Sequence, residues 1–110
     1  MNTSKLINTV KFNSCVQKMR SFFLSKNFLE VHTQSATSIL AACEDPKTVS
    51  LFEYGNKIWP LPQTGQMWLE HVLMSQKDLP GVFCLSTSYR NEPDPIEGRH
   101  ETIFPMFEFE

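Results

Sequence analysis

The sequence predicts an α+β domain in which helices alternate with short strands, and three features predict this class. Residues 10–26 carry the four-three-four apolar spacing of an amphipathic helix. The pair Gly55-Asn56 separates two β-prone runs, as in a tight hairpin. Residues 82–89 open with a compact apolar run that is typical of a buried strand. A chain of 110 residues without internal repeats or a linker suits a single domain.

The first predicted unit is a helix followed by a strand. Its helix ends near Asn27, and its buried face consists of Phe12, Val16, Met19 and Phe23. Residues 28–31 are β-prone and are expected to form the strand. Residues 33–48 are polar, with a turn signal at 44–46, and predict a connection with little regular structure.

The second half of the chain predicts a hairpin, a helix and two strands. The hairpin pairs residues 49–54 with 57–61. Thr64 is expected to cap a helix that runs to about Gln76. The buried stripe of this helix is predicted to be Met67, Trp68, Val72 and Leu73. Strands 82–89 and 102–110 flank a loop rich in turn formers, so we expect them to be antiparallel.

The composition limits the classes of function. Hydrophobic residues make up 41% and charged residues 20%, as in ordinary soluble globular proteins. Ten Lys and Arg against twelve Asp and Glu give a net charge of −2, so no strong basic field attracts nucleic acid. Cys15, Cys43 and Cys84 lie far apart without metal-ligand spacing, which indicates free thiols. No signal peptide or span of ~20 apolar residues is visible, and we expect a cytoplasmic protein.

The last strand has two chemically different faces. Side chains alternate along a strand, so the members of each face can be read from the sequence. One face is apolar and contains Ile103, Phe107 and Phe109. The other face contains Phe104, Met106, Glu108 and Glu110. Carboxylates are costly to bury on a sheet unless cations or donors meet them, so this second face is predicted to contact a ligand.

Charged residues of the preceding strand and loop extend that surface. Arg90 and Glu92 share a face, and the loop adds Arg99 and His100. An Arg-x-Glu tripeptide alone is more often a solvated ion pair, a lone histidine more often structural, and a lone phenylalanine more often core. Together these groups could hold a polyanion, the plane of a base at Phe104 and an amine near the carboxylates. ATP together with an amino acid fits that description.

The order of these residues resembles motif 2 of class II aminoacyl-tRNA synthetases of the aspartyl, asparaginyl and lysyl subclass. That motif reads Phe-Arg-x-Glu, a variable loop, Arg-His and a strand with a phenylalanine, and here it spans about residues 88–110. Residues 61–67 resemble the Pro-Gln-Ser-Pro-Gln-Leu segment of the subclass, and about 20–34 resemble motif 1. The resemblance implies part of an antiparallel sheet flanked by helices, in one partial catalytic domain over residues 1–110.

The resemblance also implies the role of each residue. Arg90 would contact the α-phosphate of ATP and the carboxylate of the amino acid, and would be the catalytic residue. The other ATP-binding residues would be Glu92, Arg99, His100 and Phe104. Gln66 and Glu108 would hold the amino acid, and Glu110 would be a metal ligand, with the main Mg²⁺ ligands outside this chain. The implied partners are the amino acid, tRNA as a possible acceptor and a second copy of the full-length protein.

Several departures from the subclass pattern qualify these expectations. Gln34 stands where motif 1 ends in proline, and Leu69 where aspartyl enzymes place a lysine for the substrate carboxylate. Pro105 within the last strand predicts an edge, bulge or irregular pairing. No glycine-rich motif 3 follows and no anticodon-reading barrel precedes, so we expect a truncated polypeptide, inactive alone. Two alternatives stay open: a non-catalytic nucleotide-binding or assembly module, and a paralogue whose acceptor is ammonia or a protein lysine.

Overall fold

The computed structural model describes residues 7–33 and 46–110, and it contains two sheets and two α-helices. In chain order the elements are α1 (Thr9–Ser25), β1 (Leu29–Glu30), a 3₁₀ turn (Pro46–Thr48), β2 (Leu51–Tyr54), β3 (Lys57–Pro60), α2 (Gln66–Ser75), β4 (Val82–Tyr89) and β5 (Ile103–Phe109). The predicted α+β class is confirmed. Most of the predicted connection, including Gln34, lies outside the described residues.

Helix α1 begins and ends where local chemistry dictates. Asn8 caps its start, because the side-chain oxygen accepts a hydrogen bond of 3.0 Å from the backbone N–H of Lys11. After the helix, Asn27 adopts a positive φ of 64°, a conformation that asparagine tolerates and that ends helices. A fork of hydrogen bonds from Arg20 to Glu30 then ties α1 to β1, with an Nη2 to Oε2 distance of 3.1 Å. The predicted helix is confirmed within one residue at each end. Of its predicted buried face, Val16 and Phe23 are buried and Phe12 is half-buried, whereas Met19 is 36% exposed.

The main sheet has the order β1-β4-β5. Strand β1 pairs parallel with β4, and β4 pairs antiparallel with β5 over seven residue pairs without a bulge. The two strands predicted to be antiparallel are confirmed as such. Strand β1 is shorter than the predicted 28–31, because only Leu29 and Glu30 pair as a strand.

Proline 105 fits into β5 because of the phase of the ladder. The pair Val82 and Glu110 exchanges both backbone hydrogen bonds, and the N–H of Arg90 donates to the carbonyl of Thr102. Even-numbered residues of β5 therefore face β4 with their backbone groups, and odd-numbered ones face away. The missing N–H of Pro105 costs the ladder nothing at that position. Of the three possibilities predicted for this proline, an edge position of the described sheet is the one observed.

Helices cover both faces of the sheet. From α1, Phe23 is only 8% exposed, and its ring centroid lies 4.7 to 5.6 Å from those of Phe22, Phe28, Phe83, Phe107 and Phe109. From α2, Leu69 packs against Val82 and Cys84 on the opposite face, and all three are fully buried. Each close aromatic pair adds about 0.5–1.5 kcal/mol beyond the burial of its area, so this cluster fixes α1 to the sheet.

The hairpin of β2 and β3 forms a separate two-stranded sheet. Gly55 and Asn56 have φ values of 60° and 61°, as a type I′ turn requires. The predicted hairpin is therefore confirmed. No helix within residues 7–33 and 46–110 has the length and apolar character to cross a membrane.

Helix α2 differs from its prediction in two ways. Gly65, rather than the predicted Thr64, occupies the N-cap position, although the hydroxyl of Thr64 accepts a hydrogen bond of 3.1 Å from the first N–H of the helix, that of Gln66. The most deeply buried residue is Leu69, which was not among the predicted stripe, whereas Met67 and Trp68 are only half-buried. The stripe is rotated because α2 packs against the end of β4 through Val82 and Cys84.

Candidate functional site

The site lies on the face of the β4–β5 pair to which the even-numbered side chains point. Arg90 and Phe104 come together there: the guanidinium carbon lies 5.5 Å from the ring centroid. Arg90 Nε donates to the hydroxyl of Ser88, which is fully buried, at 3.2 Å. Its backbone N–H donates to Thr102 at 2.7 Å. The arginine is therefore held at one end, and its two terminal nitrogens stay available for an anion.

The carboxylate of Glu108 lies further along the same face and accepts several hydrogen bonds. Oε2 accepts from the N–H of Gly65 at 2.6 Å and from the hydroxyl of Ser86 at 3.0 Å. Oε1 accepts from the hydroxyl of Thr64. The sulfur of Cys84 is 4.0 Å from Oε2. These neutral donors offset the cost of half-burying a charged group, and they join β5 to the segment before α2.

The thiol of Cys84 responds to this surrounding. Burial, which is the largest cause, and the negative charges of Glu108 and Glu30 together raise the pKa of Cys84 from 9.0 to about 12. A hydrogen bond with Ser86 acts in the opposite direction. The thiol is consequently protonated near neutral pH, and it is not a nucleophile there.

A cavity of about 200 Å³ adjoins the Glu108 cluster. Thr64 and Ser86 belong to both the cluster and the cavity wall. The remaining lining residues within the described chain are His32, Thr33, Pro62, Leu85, Thr87 and Tyr89.

The loop between β4 and β5 orders His100. Its Nδ1 accepts a hydrogen bond of 3.0 Å from the backbone N–H of Ile96, and the backbone N–H of His100 donates to the carbonyl of Ile96 at 2.8 Å. Because Nδ1 is an acceptor, the proton of the neutral ring is assigned to Nε2, which can then donate a hydrogen bond. Arg99 is exposed on the same loop. The loop therefore offers a cation and an N–H donor near the end of β4.

The remaining predicted residues are less closely joined. Within the described part of the chain, the side chains of Glu92, Arg99 and Glu110 make no hydrogen bond to the other predicted site residues. The amide of Gln66 donates to Glu70 at 3.3 Å, while its backbone N–H donates to the Thr64 hydroxyl at 3.1 Å. Residues 7–33 and 46–110 contain no group of three or more His, Cys, Asp or Glu side chains suited to a metal ion. The role of Glu110 as a metal ligand stays a prediction.

Four residues of the site were not predicted from the sequence: Thr64 as a partner of Glu108, together with Gly65, Ser86 and Ser88. The two serines could have been found, because they alternate with Arg90 along β4 and must share its face. Gly65 could not, since nothing local indicates that its N–H meets a carboxylate of a distant strand.

This mixed sheet with helices on both faces, and with an arginine facing a ring across an antiparallel strand pair, resembles the core of class II aminoacyl-tRNA synthetases. The family model of class II tRNA synthetases for D, K and N matches residues 2–110. The chain belongs to this family, whose members are ligases. No curated protein matches the sequence significantly.

Solved structures agree with that assignment. The chain is similar to asparaginyl-tRNA synthetase from Pyrococcus horikoshii complexed with asparaginyl-adenylate, with 26% identity, a TM-score of 0.72, and coverage of 86% of this chain and 20% of that one. A Leishmania major protein assigned as an aspartyl-tRNA synthetase is 29% identical to the chain, with a TM-score of 0.68. The match covers 86% of this chain and 16% of the Leishmania protein. The chain is also similar to Entamoeba histolytica asparaginyl-tRNA synthetase, with 24% identity and a TM-score of 0.65. This match covers 82% of this chain and 18% of the Entamoeba protein, and it supports the fold alone. The chain thus spans no more than a fifth of the length of these proteins.

Proposed function

We propose that the protein containing this chain activates an amino acid with ATP, forming an aminoacyl-adenylate and releasing pyrophosphate. The observation that carries the proposal is the placement of Arg90 against Phe104, on the face that also presents Glu108. A cation, an aromatic plane and a carboxylate then follow one another along one surface. These are the groups that a phosphate, an adenine and an ammonium require.

Each residue has a defined task in this reaction. The carboxylate oxygen of the amino acid attacks the α-phosphorus, the bond to the β-phosphate oxygen breaks, and pyrophosphate leaves with the electron pair. Arg90 neutralises the charge that develops on the α-phosphate, through the two nitrogens that Ser88 does not occupy. Phe104 stacks on adenine and Glu92 accepts from its amino group. Arg99 and Nε2 of His100 reach the terminal phosphates.

The amino acid occupies the surface beside α2. Glu108 binds its ammonium, and Gln66, on the first turn of α2, contacts the remainder. Leu69 is fully buried against Val82 and Cys84, so this position offers no cation for a substrate carboxylate. The geometry favours a substrate whose side chain is not read by a lysine at that place.

Other parts of the proposal rest on the resemblance alone. They are the partial catalytic domain over residues 1–110, tRNA as the acceptor, a homodimer of the full-length protein, and Mg²⁺ bound mainly outside this chain with Glu110 as one ligand. A cytoplasmic location rests on the composition and the cysteine pattern of the sequence.

Amino-acid-dependent exchange of pyrophosphate into ATP tests the reaction directly. The protein that contains this chain is assayed with each of the twenty amino acids, and with ATP and GTP in parallel. We expect exchange with one or a few amino acids, and with ATP only. Absence of exchange with all twenty would refute activation and favour the non-catalytic alternative.

A matched pair of variants tests the adenine contact. Phe104 and Ile103 are neighbours on β5 whose side chains lie on opposite faces. Stacking of a base on an aromatic ring is worth about 1–3 kcal/mol, so Phe104→Ala should raise the KM for ATP by roughly 5- to 150-fold. Ile103→Ala should leave it within about twofold. Equal effects of the two substitutions would exclude Phe104 from the adenine site.

A further inference from the structure

Ser88 and Phe104 lie directly opposite each other across β4 and β5, and the side chain of Arg90 bends back over this pair. Its Nε donates to the hydroxyl of Ser88 at 3.2 Å, and its guanidinium carbon lies 5.5 Å from the centre of the Phe104 ring. Thr102, which follows the pair on the other side, accepts from the backbone N–H of Arg90. One cross-strand pair therefore determines where the guanidinium lies.

The hydroxyl of Ser88 is a firm support for the arginine. Ser88 is fully buried, so water does not compete readily for its hydroxyl. Arg90 is half-buried and has a long side chain with several rotamers. A hydrogen bond to a charged group of ordinary strength corresponds to a population ratio of about tenfold or more. The buried serine thus favours one orientation of an otherwise flexible cation.

The contact with Ser88 decides which edge of the guanidinium remains for an anion. An arginine can bind an anion side-on, through Nε and one terminal nitrogen, or end-on, through both terminal nitrogens. Because Ser88 occupies Nε, only the end-on edge keeps a complete pair of donors. An anion bound by Arg90 is therefore met by two parallel N–H groups from one direction.

The group that holds Arg90 is neutral, and this preserves the charge of the arginine. Within residues 7–33 and 46–110, Arg90 forms no ion pair. A carboxylate at the position of the Ser88 hydroxyl would also orient the guanidinium, but its negative charge would offset the positive one. A hydroxyl orients the guanidinium and leaves its full charge for the bound anion.

We propose that Ser88 is a positioning residue for adenylate formation: it holds Arg90 so that the end-on edge, at full charge, faces the α-phosphate. This role rests on the proposed function, because it takes the α-phosphate of ATP as the anion that Arg90 meets. Ser88 touches no substrate and acts only through Nε of Arg90. The Phe-Arg-x-Glu pattern begins one residue later, at Tyr89, so the resemblance assigns no role to Ser88.

A double-mutant cycle tests whether Ser88 acts through Arg90. In the protein that contains this chain, Ser88→Ala should lower kcat/KM for ATP in pyrophosphate exchange by about 5- to 20-fold. Arg90→Lys leaves no guanidinium to orient, so adding Ser88→Ala to Arg90→Lys should change kcat/KM by less than about twofold. A serine that served the fold alone would lower kcat/KM by the same factor in both backgrounds.

The second readout is the discrimination between the Sp and Rp isomers of ATPαS. Each isomer places sulfur at a different non-bridging position of the α-phosphorus, and sulfur is a weak hydrogen-bond acceptor. A guanidinium held in one orientation disfavours the isomer whose sulfur faces it. The ratio of kcat/KM between the isomers, at one fixed Mg²⁺ concentration, should therefore fall by about threefold or more in Ser88→Ala.

Thr87→Ala is the matched control. Thr87 is the neighbour of Ser88 on β4, its side chain lies on the opposite face, and it is exposed. Its replacement should change neither kcat/KM nor the isomer ratio. Thermal unfolding shows whether Ser88→Ala is folded. Ser88→Cys, which keeps a side chain of similar shape with a weaker acceptor, replaces it if it is not, and should give a smaller loss in the same direction.

The outcomes separate the two levels of the claim. No exchange by the unmodified protein with any amino acid refutes the proposed function itself. Full activity of Ser88→Ala, equal losses in the arginine and lysine backgrounds, or an unchanged isomer ratio overturns the role of Ser88 while activation stands. If Arg90→Lys supports no measurable exchange, the isomer ratio decides alone.

Discussion

Replacing Arg90 separates its charge from its geometry. Arg90→Lys keeps a positive charge but has no planar fork and no Nε to donate to Ser88, whereas Arg90→Ala removes both. In the native site, Nε is taken by Ser88 at 3.2 Å, and the ring of Phe104 lies 5.5 Å from the guanidinium carbon. The two substitutions should therefore weaken catalysis to different degrees.

The size of the loss follows from the donors that remain. A guanidinium carries five N–H groups, and Ser88 uses one, so four N–H groups on the two terminal nitrogens can contact phosphate oxygens. Charge-assisted hydrogen bonds contribute about 1.5–3 kcal/mol each, and losing two costs about 3–6 kcal/mol. Arg90→Ala should then lower kcat/KM by roughly 10²- to 10⁴-fold. Arg90→Lys, which keeps one charged contact, should lower it by roughly 10- to 100-fold.

Pyrophosphate exchange with varied ATP measures this effect, and Arg20 supplies the matched control. Arg20 is also a partly exposed arginine with a hydrogen-bonded side chain, but its partner is Glu30 on the α1 side of the sheet. An ion pair of this kind is worth about 0–1 kcal/mol, so Arg20→Ala should change kcat/KM by less than about threefold. Equal losses for Arg90→Ala and Arg20→Ala, or full activity of Arg90→Ala, would refute the assignment of Arg90 to the phosphate.

Two further predictions concern stability. Phe23→Ala removes the ring that joins α1 to the sheet and should lower the free energy of unfolding by about 3–5 kcal/mol. The adjacent Phe22 is 56% exposed, so Phe22→Ala should lower it by less than half as much. Urea unfolding of both variants measures the difference, and similar losses would contradict the packing described. Because the pKa of Cys84 is about 12 in the folded protein against an ordinary 9.0, unfolding releases its proton only at high pH. Its contribution to stability is complete below about pH 9 and is lost as the pH rises toward 12, with a slope of at most about 1.4 kcal/mol per pH unit. The difference in unfolding free energy between the native protein and Cys84→Ala should fall over that range, and a constant difference from pH 8 to 11 would show that burial does not perturb the thiol.

Local signals predicted much of the fold. The spacing of Val16 and Phe23 gave the buried side of α1, and Gly55-Asn56 gave the hairpin, because helix period and turn chemistry act over a few residues. The parallel pairing of β1 with β4 was not predicted. Strand β1 has two residues, and its partner is chosen by tertiary packing that no short window contains. Leu69 was missed for the same reason, since only the position of β4 decides which side of α2 is buried.

The site divides in a similar way. The alternation of side chains along β4 and β5 was enough to predict that Arg90 and Phe104 lie on the same face, because paired strands share their two faces. It also placed Glu108 on that face. The donors that meet Glu108 come from the turn before α2, and their approach depends on how the helix docks on the sheet. Sequence patterns therefore indicate which residues of a face are chemically active, but not which backbone groups of another element satisfy them.

The pairing of β1 at residues 29–30 with β4 at residues 82–83 has a consequence for the order of events during synthesis. The first strand emerges from the ribosome well before its partner, and the loop that must close between them is long. Until β4 and β5 are made, Phe23 of α1, which later meets Phe83 and Phe107, has no sheet to cover it. The nascent chain thus passes through a stage in which aromatic surface is exposed and prone to aggregate, and protection by a chaperone would be most needed in that interval.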